Sequence, residues 1–78
     1  VTPLRKARLA KGWILEDVVR RLAAIGETID TGNLSRLERG KQRASVELAE
    51  SLAKIFGKRS LTEMQVLYPE RYMDKQVA

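Results

Sequence analysis

The 78 residues contain no cysteine and no histidine. The first absence removes disulfide frameworks and thiol nucleophiles, and it fits a reducing cytoplasm. The second removes imidazole acid–base chemistry, and together they remove the usual zinc ligand sets. No metal and no cofactor are therefore expected. Long apolar runs are missing too: nothing approaches the ~18 residues of a membrane-spanning helix. The start of the chain shows no signal-peptide pattern. No stretch alternates at period two, and there is no repeat, low-complexity tract or flexible linker. Acidic residues are outnumbered, 10 against 15 basic, for a formal net charge of +5. A chain of this length makes one domain at most and buries little surface. For so small a domain the excess favours a polyanionic partner, against the plainer reading of ordinary solubility charge.

Helical signals fill the chain. Thr2 and Pro3 make a start, a capping hydroxyl followed by proline at the first helical position. Leu4 and Ala7 share a face of that helix, and Gly12 ends it. A second helix begins near Ile14 or Leu15 with Glu16 and Asp17 in its first turn, where they complement the helix dipole. Its stripe is Leu15, Val18, Val19, Leu22 and Ile25, and Gly26 is the stop. Asp30 caps a short third helix that runs to Arg39 and ends at Gly40. Ser45 caps a fourth, with Leu48, Ala49, Leu52, Ile55 and Phe56 at helical spacing before Gly57. Ser60 to Glu63 reads as a capping box for a fifth helix carrying Leu61, Met64 and Leu67, and Pro69 starts one more turn. The expectation is an all-α domain of five helices over residues 1–78, with 58–78 as a dimerisation tail.

The third helix and its exit, DTGNLSRLERGKQR, have only Leu34 and Leu37 as large apolar residues. A helix that enters a major groove must leave one face polar while the other anchors it. Leu34 and Leu37, three apart, supply the anchor. Thr31, Gly32, Asn33 and Arg36 point elsewhere and lie in the first two turns, the end that meets base edges in such docking. Arg36 suits guanine and Asn33 suits adenine, since each makes two hydrogen bonds there. Gly32 has two readings: its missing side chain lets the backbone sit close to DNA, or it belongs to a frayed first turn. Arg39, Lys41, Gln42 and Arg43 follow the helix and suit phosphates, which position a protein without reading sequence. GKQR is no P-loop, having one glycine and no glycine-rich lead-in strand.

The segments LRKARLAKGW, LEDVVRRL, IDTGNLSRLERGK and SVELAESLAKIFG resemble the lambda-repressor-like (Xre/Cro type) helix-turn-helix DNA-binding family, over about Leu4 to Met64. LSRLERGK, residues 34–41, is its most specific part. The resemblance implies a compact five-helix fold with helices two and three as the helix-turn-helix. It implies that Thr31, Gly32, Asn33 and Arg36 read bases and that the following cations hold phosphates. It also implies a structural ion pair between Arg8 and Glu38, which keeps Glu38 out of the DNA-contact set. The family usually binds as a homodimer on a two-fold operator. Leu61, Met64, Leu67, Tyr68, Tyr72 and Met73 exceed what the small core needs and are the candidate dimer surface, with packing back on the monomer as the competing reading.

Three features depart from the family pattern. The stretch AAIGETID, Ala23–Asp30, is about five residues longer than the usual turn. Either helix two runs a turn further or the loop bulges, and Ile29 becomes the apolar plug between the helices. Ile14 and Leu15 replace the usual Ser or Thr followed by Gln, so the side-chain cap of helix two is lost. Ala44 stands where proline is common. Trp13 matches an apolar family position and reads as core or rim packing rather than a base-stacking platform.

The function expected is a sequence-specific double-stranded DNA-binding transcriptional regulator, repressor-like, in a bacterial or phage-encoded cytoplasmic setting. The alternatives are a protein-interaction or antitoxin-type module, or the DNA-binding domain of a longer regulator. An enzyme is not expected, because the remaining carboxylates sit at helix starts and no convergent cluster is implied. A membrane-surface role fits poorly, because the basic residues are spread over several helices.

Overall fold

The computed structural model describes residues 1–73. Its elements are α1 (Pro3–Lys11), α2 (Leu15–Ala24), α3 (Thr31–Glu38), α4 (Val46–Phe56) and α5 (Glu63–Leu67), followed by a 3-10 turn at Pro69–Arg71. No strand occurs among the described residues. Residues 74–78 of the expected dimerisation tail lie outside them.

Four of the five helices start where a capping side chain accepts from a free N–H group. Asp30 accepts from Asn33 N, Ser45 from Leu48 N at 3.1 Å, and Thr2 from Arg5 N at 3.3 Å. Ile14 has no acceptor to offer α2. Asp17 compensates in part: its carboxylate reaches back and accepts from the Ile14 N–H at 2.9 Å. That bond, assisted by Arg20, holds the Asp17 carboxyl below its ordinary value. A carboxyl with a depressed folded pKa stabilises the fold above about pH 4, its unfolded value. The contribution is lost as pH falls through the lowered value.

The fifth helix corrects one sequence expectation. Its cap is Thr62, not Ser60: Thr62 accepts from Gln65 N at 3.2 Å, and the Gln65 side chain accepts from Thr62 N at 2.9 Å. The box is therefore Thr62 to Gln65, two residues later than expected. Leu61 becomes the residue before the cap and Val66 the fourth helical residue, the two positions of a hydrophobic staple. Both are buried in the core, Leu61 completely. Leu61 is therefore not part of a dimer surface, and Leu67 packs half-buried against the same core.

All five helices contribute to one apolar cluster. Leu4 and Ala7 come from α1, Val18 and Leu22 from α2, Leu34 and Leu37 from α3, and Leu48, Leu52 and Phe56 from α4. Trp13 lies at its rim, with its ring centroid 5.0 Å from that of Phe56 and the Arg21 guanidinium 4.1 Å above it. The indole is thus in contact with an aromatic ring and a cation of the protein itself.

Thr2 has a second role that its position as a cap does not announce. It is almost wholly buried, and its hydroxyl donates to the Glu38 carbonyl at 2.5 Å, at the end of α3. One hydroxyl thus serves the start of α1 and the last turn of α3. Thr2→Val keeps the shape and removes both bonds. It should lower stability by about 1–3 kcal/mol, from a lost cap and an unpaired buried carbonyl. An unchanged thermal midpoint would show that neither bond contributes.

Candidate nucleic-acid interface

Two apolar residues fix α3. Leu34 is completely buried and Leu37 nearly so, each contributing about 1.5–3 kcal/mol by leaving water. Everything on the outer side of the helix is polar: Thr31, Gly32 and Arg36 are exposed, and Asn33 and Ser35 are half-buried. Arg39, Gly40, Lys41, Gln42 and Arg43 continue this surface, all exposed. Gly40 (φ 73°) makes the exit possible, since its left-handed backbone lets Lys41 N reach Arg36 O at 2.9 Å and close the helix. Arg39 and Lys41 therefore leave at the negative end of the helix, where cations are favoured.

Glu38 faces the other way. It is 4% exposed, and Arg8 donates to it from Nε at 2.5 Å and from Nη2 at 3.0 Å. The third branch of the same guanidinium, Nη1, donates to the Trp13 carbonyl at 2.8 Å. Arg8 thus joins α1, the turn after it and α3. The short bond to Glu38 raises the Arg8 pKa above its ordinary value. The only acid among residues 31–43 is in this way withdrawn from the basic surface.

The long connection is divided. Ala23 and Ala24 are the last helical residues of α2. Gly26 takes φ 88°, and Glu27 N bonds back to Leu22 O at 2.9 Å, which terminates the helix. The chain then runs without helix to Asp30, with Ile29 half-buried against the core as the expected plug. Ser51 of α4 donates to Glu27 at 3.2 Å and ties this connection down.

The first turn of α3 is closed rather than frayed: Asp30 O accepts from Leu34 N at 3.0 Å, alongside the side-chain cap. Gly32 has no left-handed φ, so its backbone does not require glycine. A Cβ there would meet Asp30 Oδ1 at 3.6 Å and the Arg36 Nη atoms at 3.9 Å, which is ordinary contact. Gly32→Ala should therefore fold at least as stably, by up to about 1 kcal/mol. If the missing side chain serves close approach to DNA, the same variant should bind DNA more weakly. Unaltered affinity would remove that role.

Two of the residues expected at phosphates are engaged within the protein. Arg43 turns toward the C-terminal elements, donating to Leu67 O at 2.9 Å and pairing with Glu70 at 3.1 Å. Gln42 accepts from Arg36 Nε at 3.3 Å, while Arg36 Nη2 donates to Asn33 Oδ1 at 2.5 Å. Sequence reasoning had no signal for these contacts, because polar partners in a turn leave no periodicity. Of the expected dimer residues, Met64, Tyr68 and Tyr72 are exposed, with the Arg71 guanidinium 4.7 Å from the Tyr68 ring.

Residues 4–64 match the family described as Helix-turn-helix. The chain belongs to the lambda-repressor-like helix-turn-helix family. No curated protein and no solved structure matches it. As a member of this DNA-binding family, the helix-turn-helix chain presents α2 and α3 as its paired helices, joined by residues 25–30. No helix among its described residues is long and apolar enough to cross a membrane.

Proposed function

We propose that this helix-turn-helix protein is a sequence-specific, repressor-like transcriptional regulator that reads double-stranded DNA with α3. One observation carries the reading: the exposed side of α3 and its exit holds Thr31, Gly32, Arg36, Arg39, Lys41, Gln42 and Arg43, without one large apolar residue. A protein-binding groove helix would present apolar anchors at i, i+3 and i+4 on that side. A polar, cationic side instead suits base edges and phosphates. Arg36 is assigned to a base. Thr31 and Gly32 are assigned to close approach at the helix start. Arg39 and Lys41 are assigned to phosphates, joined by Arg43 when its pair with Glu70 opens. Arg8 and Glu38 hold the helix at its angle and touch no DNA.

The reading includes a homodimer through Met64, Tyr68 and Tyr72, in a cytoplasmic setting and without enzymatic activity. Two copies of α3 would then stand ~34 Å apart to meet successive major grooves. Selection from a random duplex library, with the mass of the free protein measured in solution, tests the reading. Enrichment of a two-fold sequence and a dimeric mass are expected. Recovery of no sequence preference would overturn it.

A further inference from the structure

We propose that Gln42 and Asn33 are positioning residues for Arg36, and that the arginine they hold reads one guanine through its outer edge. The proposal rests on the DNA-binding reading above. A guanidinium carries five N–H donors in a rigid planar fork. Nε and Nη2 form one side of that fork, and both are taken: Nε by Gln42 Oε1 at 3.3 Å and Nη2 by Asn33 Oδ1 at 2.5 Å. The outer edge, formed by Nη1 and the second Nη2 hydrogen, remains for a ligand.

That edge presents two parallel donors. Guanine presents two adjacent acceptors in the major groove, N7 and O6, and accepts both. Adenine presents N7 beside the N6 amino donor, so one arginine donor would meet another donor. The outer edge therefore selects guanine. Adenine recognition by Asn33 needs its carbonyl oxygen and its amide together, and the oxygen already accepts from Arg36. Likewise the Gln42 carbonyl is turned to Arg36, the contact through which it can orient the guanidinium.

Gly32 lies beside the same guanidinium. The place its Cβ would occupy lies 3.9 Å from both Nη atoms, so the guanidinium folds back along α3 over the residue without a side chain. Asn33 one turn earlier and Gln42 after the helix end then meet it from two directions. Fixing a long side chain before DNA arrives reduces the ordering cost of binding.

The test uses the duplex obtained by selection, with each of the four base pairs at the Arg36 position and with 7-deazaguanine, which lacks the N7 acceptor. The wild-type chain, Gln42→Ala, Asn33→Ala, Arg36→Ala and the double variant Gln42→Ala with Arg36→Ala are compared. The wild type should prefer guanine over adenine by roughly 5- to 150-fold and lose most of that preference on 7-deazaguanine. Gln42→Ala and Asn33→Ala should each reduce the preference while leaving the thermal midpoint and the salt slope unchanged. In the Arg36→Ala background, Gln42→Ala should have no further effect. The proposal is overturned if Gln42→Ala weakens all four duplexes equally, the mark of a phosphate contact that carries no base information. It is also overturned if the effects of Gln42→Ala and Arg36→Ala simply add, or if Asn33→Ala alters an adenine position instead. A wild-type chain that binds no duplex overturns the DNA reading itself, a result distinct from each of these.

Discussion

Glu38→Ala should lower stability by about 3–5 kcal/mol, because it leaves the Arg8 guanidinium 12% exposed with no counter-charge. For a domain of this size that is a fall of at least about 12 °C in the thermal midpoint. Total stability of small domains is only about 5–15 kcal/mol, so the variant is expected to be partly unfolded at physiological temperature. The cost arises from breaking the pair, not from its net worth. Arg8→Met combined with Glu38→Leu should therefore recover much of the loss, since apolar replacement of a buried pair is often neutral or better. Recovery should be incomplete, because Trp13 O loses the donor it has in Arg8 Nη1. Thermal unfolding of the three proteins decides the matter. Equal midpoints for wild type and Glu38→Ala would mean that the pair does not hold α3.

Salt should affect DNA binding more than any single substitution. Neutralising phosphates releases condensed counterions, with a slope of about −0.9 in log affinity per contact. Arg39, Lys41 and Arg43 are three cations per chain, so the proposed dimer would neutralise about six phosphates. Raising salt from about 50 to 200 mM should then cost about a thousandfold in affinity. Arg43 joins only by leaving Leu67 O and Glu70, so a dimer using Arg39 and Lys41 alone should show a shallower slope, near four contacts. Titrations at several salt concentrations distinguish these values. Affinity that does not change with salt would exclude phosphate contacts by this loop.

The elements were legible where a local rule governs them. Thr2, Asp30 and Ser45 cap as their chemistry predicts, and the helices stop at Gly12, Gly26, Gly40 and Gly57, or within two residues before them. The fifth helix was misplaced because Ser60 and Thr62 are both acceptable caps by composition. What decides between them is tertiary: capping at Thr62 allows Leu61 and Val66 to be buried together. The Arg8–Glu38 contact came from the family resemblance, since residues thirty positions apart have no local signature. The anchor of α3 followed from the spacing of Leu34 and Leu37. The contacts of its polar side did not: Asn33, Arg36 and Gln42 look alike as independent DNA ligands in the sequence but are bonded to one another in the fold. The bond from Thr2 to the Glu38 carbonyl was illegible for the same reason, being a side-chain contact to backbone across the fold.

The central claim is that the exposed side of α3 reads DNA sequence. Its most direct test is parallel selection of duplexes by the wild-type chain and by Arg36→Ala. The wild type should enrich a defined site containing an invariant guanine. Arg36→Ala should enrich the same site with that position degenerate in each half-site, at an affinity cost of about 1–3 kcal/mol per half-site. Two identical enriched sites, or none from either protein, would contradict it.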